Sequence, residues 1–212
     1  MKLTRSNTAL ARLAATLAVP LGLGMLLIGG SMNAIAAPPD RLSFDMVVSA
    51  GAKNCLPNAH GHVTVNNVGA NQRMHVVVNG LPANTSFTFF VLQVPTAPFA
   101  MSWYQGDIDT DESGSGSQQF FGIFSSETFI FAPATRAAPQ THPGIDATTN
   151  PVTAPVHMYH LGLWFGDAAD AVAAGCPSNV TPFDGDHQAG IQVLNTSNFG
   201  TEAEDGPLGE LE

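Results

Sequence analysis

Charge is scarce in this chain of 212 residues: Asp, Glu, Lys and Arg together make up 11% of it, about half the usual share of a folded domain. Cations are scarcer still, with 7 Lys and Arg against 17 Asp and Glu and a formal net charge of −10. So few cations cannot neutralise a run of phosphates, which excludes nucleic acid as a partner. Cysteine is limited to Cys55 and Cys176, and no C-x-x-C pair is present to frame a thiolate metal centre. The G-x-S-x-G elbow of a serine hydrolase is also missing; Gly114-Ser115-Gly116 reads as a flexible turn. Beyond residue 36 no apolar run approaches the length of a membrane-spanning helix.

What is present begins with an export signal. Lys2, Arg5 and Arg12 form a basic start, an apolar run follows from Leu13 to Ile28, and Ala34-Ile35-Ala36 supplies small residues at −3 and −1 of a cleavage site. The apolar run is broken by Pro20 and is short for a bilayer span. The expected mature chain therefore starts at Ala37, is secreted or extracytoplasmic, and carries no transmembrane segment. It keeps only Arg41, Lys53, Arg73 and Arg136 as strong bases, while all 17 acidic residues lie beyond the leader. Such a surface repels anionic lipid and nucleic acid. In an oxidising compartment the two remaining cysteines are expected to pair, closing a loop of about 120 residues.

Alternation of apolar and polar residues recurs along the mature sequence, the signature of half-buried strands. Leu42, Phe44, Met46 and Val48 share one face of a first strand; Val63 and Val65 mark a second, and Met74, Val76 and Val78 a third. Residues 67–71, with Gly69, connect the last two. The run over 87–94 is apolar on both faces and belongs in mid-sheet. Further strands are expected at 103–108, 119–124, 128–131, 156–165 and 190–195. One short helix is expected, with Asp167 as N-cap and Gly175 as its stop, delivering Cys176 to the sheet. Residues 133–155 read as a long loop or crossover. Residues 202–212 read as an acidic tail, loosely held. Nine or so short strands separated by turns predict an all-β fold, an antiparallel sandwich, over 37–201.

The segment Gly80-Leu81-Pro82-Ala83-Asn84-Thr85-Ser86-Phe87 resembles the turn entering a long inner strand in fibronectin type III and bacterial immunoglobulin-like domains. The resemblance spans about 15 residues and implies an immunoglobulin-like sandwich without implying an activity. Phe87 stands where a tyrosine corner would need a hydroxyl. TPFDGDHQAG and HLGLWF look like parts of an uncharacterised family of secreted bacterial proteins.

Three clusters invite chemistry. His60 and His62 form H-x-H on a strand, with both imidazoles on its polar face. With His157 or His160 they would make a zinc or copper site, because imidazoles that converge are good ligands for either metal. Separate surface histidines are the simpler reading, and His75, His142 and His187 carry less information. Asp109, Asp111 and Ser113 begin a calcium-loop pattern, but the twelfth position is Phe120, which cannot give a bidentate carboxylate. A polar hairpin turn explains the same residues. Asp184 and Asp186 beside His187 could serve acid–base chemistry, although no nucleophile accompanies them. Trp103-Tyr104 and Trp164-Phe165 read as core or rim, and would be carbohydrate-stacking candidates if exposed. The sequence thus predicts a non-enzymatic, secreted protein that needs no cofactor, with an extracellular or envelope ligand it does not identify. The alternative is a histidine-based zinc or copper protein, with or without hydrolytic activity.

Overall fold

The computed structural model describes residues 39–99, 102–124, 158–181 and 188–211. The chain divides between Ala36 and Ala37, and every described residue lies in the second part. The export signal, the strand expected over 128–131, the crossover over 133–155, and Asp184, Asp186, His142, His157 and His187 lie outside the described residues.

Among the described residues there are eight antiparallel strands: β1 (Arg41–Val48), β2 (His60–Val68), β3 (Asn71–Asn79), β4 (Ser86–Leu92), β5 (Ser102–Asp109), β6 (Gly116–Gly122), β7 (His160–Phe165) and β8 (Gln192–Asn195). They form one sheet in the order β5-β4-β7-β8-β1-β2-β3-β6. The two end strands, β5 and β6, are consecutive in the chain and joined by a bridge between Thr110 and Gly116, so the sheet nearly closes on itself. β1 holds the two halves together. Its residues 41–46 pair with β2, whereas Val47 and Val48 pair with Asn195 and Leu194 of β8.

The inward faces share one core. Val63, Val65, Met74, Val76 and Val78 from one half meet Phe87, Phe89, Val91, Leu161, Leu163 and Phe165 from the other, all essentially without solvent contact. Phe89 of β4 stacks on Phe120 of β6 with ring centroids 5.2 Å apart. Fully burying each such side chain contributes about 1.5–3 kcal/mol, which fixes which face of every strand turns inward. A second, smaller cluster lies on the outer side of β4 and β7, where Phe90, Leu92 and Trp164 are covered by Phe99. Trp164 and Phe165 are therefore both buried, on opposite sides of the sheet, while Trp103 and Tyr104 on edge strand β5 are exposed.

The helix α1 (Ala168–Ala173) follows the sequence reading closely. Asp167 caps it by accepting from the Ala169 N–H at 2.6 Å. Gly175, with φ +76°, ends it: its N–H donates to Val172 O and the Cys176 N–H to Ala171 O. This paired termination needs a left-handed residue at Gly175. It aims Cys176 at Cys55, with which it forms a disulfide across 121 residues.

The C-terminal segment departs from expectation. It is not loosely held: 3₁₀ turns at Ala203–Asp205 and Pro207–Leu211 bury Pro207, Leu208 and Leu211 against the core. The Leu208 N–H donates to Tyr159 O. Gly206 passes so close to Tyr159 that a Cβ there would lie 2.3 Å from its carbonyl carbon and oxygen. The acidic side chains of this segment obscure three apolar residues that have neither the helical nor the strand period. Among the described residues no helix is long and apolar enough to cross a membrane.

Candidate ligand-binding face

The outward side of β1, β2, β3 and β6 is built from cross-strand rows, because residues paired in register project to the same side. One row runs Arg41, Asn66, Arg73, Phe121; the next Ser43, Thr64, His75, Gln119; the third Asp45, His62, Val77, Ser117. Valines between these positions claim the core, which leaves the polar residues outward.

The first two rows surround a shallow depression of about 340 Å³ lined by Arg41, Thr64, Asn66, Arg73, His75 and Gln119. No carboxylate lines it, and among the described residues neither arginine forms an ion pair. Phe121 stands at its edge beside Arg73, 68% exposed.

A hydrogen-bonded chain joins the third row to the second. His62 Nδ1 lies 2.6 Å from Asp45 Oδ1, and its Nε2 lies 3.0 Å from Ser43 Oγ. With Asp45 accepting from Nδ1–H, Nε2 accepts from the Ser43 hydroxyl. Ser43 Oγ is also 3.4 Å from Thr64 Oγ1, which links this row to the depression. His60 Nε2 is 3.7 Å from the same Asp45 oxygen. The order carboxylate–imidazole–hydroxyl is that of a catalytic triad, yet the three side chains sit on an open sheet face, with Asp45 57% and His62 47% exposed. In a catalytic triad the hydroxyl acts beside a desolvated oxyanion site.

Of the histidines read together from the sequence, the described His60, His62 and His160 do not form one group, and His157 lies outside the described residues. His60 and His62 are neighbours and exposed, as their alternation with Val63 and Val65 requires. His160 on β7 is buried, between Thr196 Oγ1 at 2.9 Å on Nδ1 and the Glu202 carbonyl at 2.9 Å on Nε2. A carbonyl only accepts, so Nε2 carries the proton. Nδ1 then accepts from Thr196, whose oxygen in turn accepts from the Leu161 N–H. Both nitrogens are thereby engaged and neither is available to a metal. Burial pushes the His160 imidazole below its ordinary value, against the opposing pull of the Glu202 carbonyl, the Asp205 charge and Thr196. Among the described residues no three His, Cys, Asp or Glu side chains are placed to hold a metal ion.

Asp109 ends β5, and Asp111 and Ser113 occupy the turn into β6. Asp111 Oδ1 accepts from the Ser113 hydroxyl, the Ser113 N–H and the Ser115 N–H. Those bonds, the Ser113 hydroxyl first, hold its carboxyl below the usual carboxylate value. Oδ1 thereby closes its own turn.

Arg41, Arg73, Asn66 and Gln119 carry no motif and escape a reading of the sequence. The one available signal is the β2–β3 hairpin: Asn66 and Arg73 are equidistant from the Gly69-Ala70 turn, which sets them opposite one another. No protein-family model matches the chain, and no curated protein sequence matches it.

Proposed function

We propose that this is a secreted, non-enzymatic binding domain whose contact surface is the outward face of β1, β2, β3 and β6. The observation that carries the reading is the asymmetry between the two halves. The outward side of β4 and β7 is capped by the chain's own Phe90, Leu92, Trp164 and Phe99. The opposite half instead presents an open polar depression in which Arg41, Arg73 and Gln119 are exposed. The basic start, the apolar run and Ala34-Ile35-Ala36 support export, and the Cys55–Cys176 disulfide suits an oxidising compartment.

The same reading takes the eight strands as two layers, β1-β2-β3-β6 over β5-β4-β7-β8, packed as a sandwich. Immunoglobulin-like kinship would rest on the segment 80–87. In immunoglobulin constant domains the second strand lies between the first and the fifth, whereas here β2 lies between β1 and β3. The sandwich is thus proposed with a Greek-key order of its own.

Three measurements test the reading. Exported protein should begin at Ala37 by N-terminal sequencing and should be retained by its native envelope fraction. Asn66→Ala with Gln119→Ala should reduce that retention several-fold, whereas Trp103→Ala on β5 should not. Hydrolysis of p-nitrophenyl acetate should be the same for the wild type and Ser43→Ala. A Ser43-dependent rate would replace the binding reading with a catalytic one.

A further inference from the structure

We propose that the depression between Arg41 and Arg73 is a binding site for a small oxyanion, a carboxylate or phosphate group carried on a hydroxyl-bearing ligand. This deepens the functional reading above and rests on its choice of face. Strong bases are rare in the chain, and beyond residue 36 only Arg41, Lys53, Arg73 and Arg136 remain. Two of these four line a single depression, brought together from 32 positions apart by the pairing of Arg41 and Arg73 with Asn66.

A solvated arginine in so acidic a protein would ordinarily find a carboxylate. Neither does so among the described residues: Asp45 is engaged by His62 in the third row, and Asp109 and Asp111 line a separate depression with Val77 and Ser117. Two strand spacings separate the arginine backbones by about 10 Å, room for an anion between two guanidinium forks. Each fork matches the geometry of a carboxylate or phosphate.

The remaining lining suits the rest of such a ligand. Asn66 and Gln119 offer amide donors and acceptors, Thr64 a hydroxyl and His75 a ring nitrogen, all able to meet hydroxyl groups. Phe121 adds an apolar ring at the margin. A volume of about 340 Å³ lies at the small end of ligand sites. The excess of 17 acidic residues over four strong bases beyond residue 36 sets the other limit, because a long polyanion meets repulsion from the surrounding surface that one or two charges do not.

The test is calorimetric titration of the exported protein at low ionic strength with three probes: inorganic phosphate, D-glucuronate and D-glucose. Phosphate, glucuronate or both should bind, and the tighter of the two names the natural anion; glucose should not. Arg41→Gln and Arg73→Gln should each weaken binding at least tenfold, while Lys53→Gln, the same charge change at a different depression, should leave it within twofold. Raising the salt should weaken binding through screening. Failure of both anions at millimolar concentration overturns the proposal, as does equal loss in Lys53→Gln, which would mean diffuse charge. Envelope retention separates the two readings. If it still depends on Asn66 and Gln119 while neither anion binds, the oxyanion fails and the face stands. If retention ignores every substitution on this face, the face fails as well.

Discussion

His160 shows how one buried side chain links pH to stability. Its neutral form satisfies both ring nitrogens, donating to Glu202 O and accepting from Thr196 Oγ1. Protonation would place a second donor against a hydroxyl that already accepts from Leu161. Because the folded state lowers the His160 pKa, the unfolded chain binds the proton more readily. The stabilisation is therefore complete above the unfolded value of about 6.5 and is lost as pH falls from there through the lowered folded value. Urea unfolding at pH 7.5 and pH 5.5 should show a drop in midpoint for the wild type. His160→Gln should be less stable at pH 7.5 and show a smaller drop. Equal drops in both proteins would refute the assigned tautomer.

The elements differ in how far the sequence discloses them. Val63 and Val65 of β2, and Met74, Val76 and Val78 of β3, alternate so regularly that strand and inward face are both legible, because a one-residue slip would expose every valine. Helix α1 is legible too, since Asp167 and Gly175 each have one chemical use in those positions. The C-terminal segment is not, because Pro207, Leu208 and Leu211 follow no regular period and their burial depends on Tyr159, distant in sequence. The arginine pair is hidden for the same reason: the partner of each is set by register, not by a neighbouring residue. The docking of the segment can be checked directly. Leu208 is fully buried, and Leu208→Ala should cost about 2–5 kcal/mol. Gly206→Ala has no room beside Tyr159, so it should lower the melting temperature and expose the last residues to carboxypeptidase. Normal stability in Gly206→Ala would mean the segment packs elsewhere.

Across the fold as a unit, the Cys55–Cys176 disulfide ties the connection after β1 to the end of α1. Restricting so long a loop in the unfolded chain contributes up to about 5 kcal/mol in the chain-entropy treatment. Cys55→Ser with Cys176→Ser should therefore lower the melting temperature by ten degrees or more, and dithiothreitol should act on the wild type in the same direction. An unchanged melting temperature in both experiments would show that β1 and β8 are held without the link.

The divided pairing of β1 has a consequence for the order in which the protein assembles. Residues 41–46 find β2 a few residues further on, but Val47 and Val48 bond to Asn195 and Leu194, nearly 150 residues downstream. A ribosome or a translocation channel delivers those two ends at very different times. The nascent chain can zip β1, β2 and β3 early, yet the last two residues of β1 must wait, their ladder groups wet, until β8 arrives. Contacts of such long separation form slowly, so this seam is the last to close and the first place a partly made chain could be joined by a foreign strand.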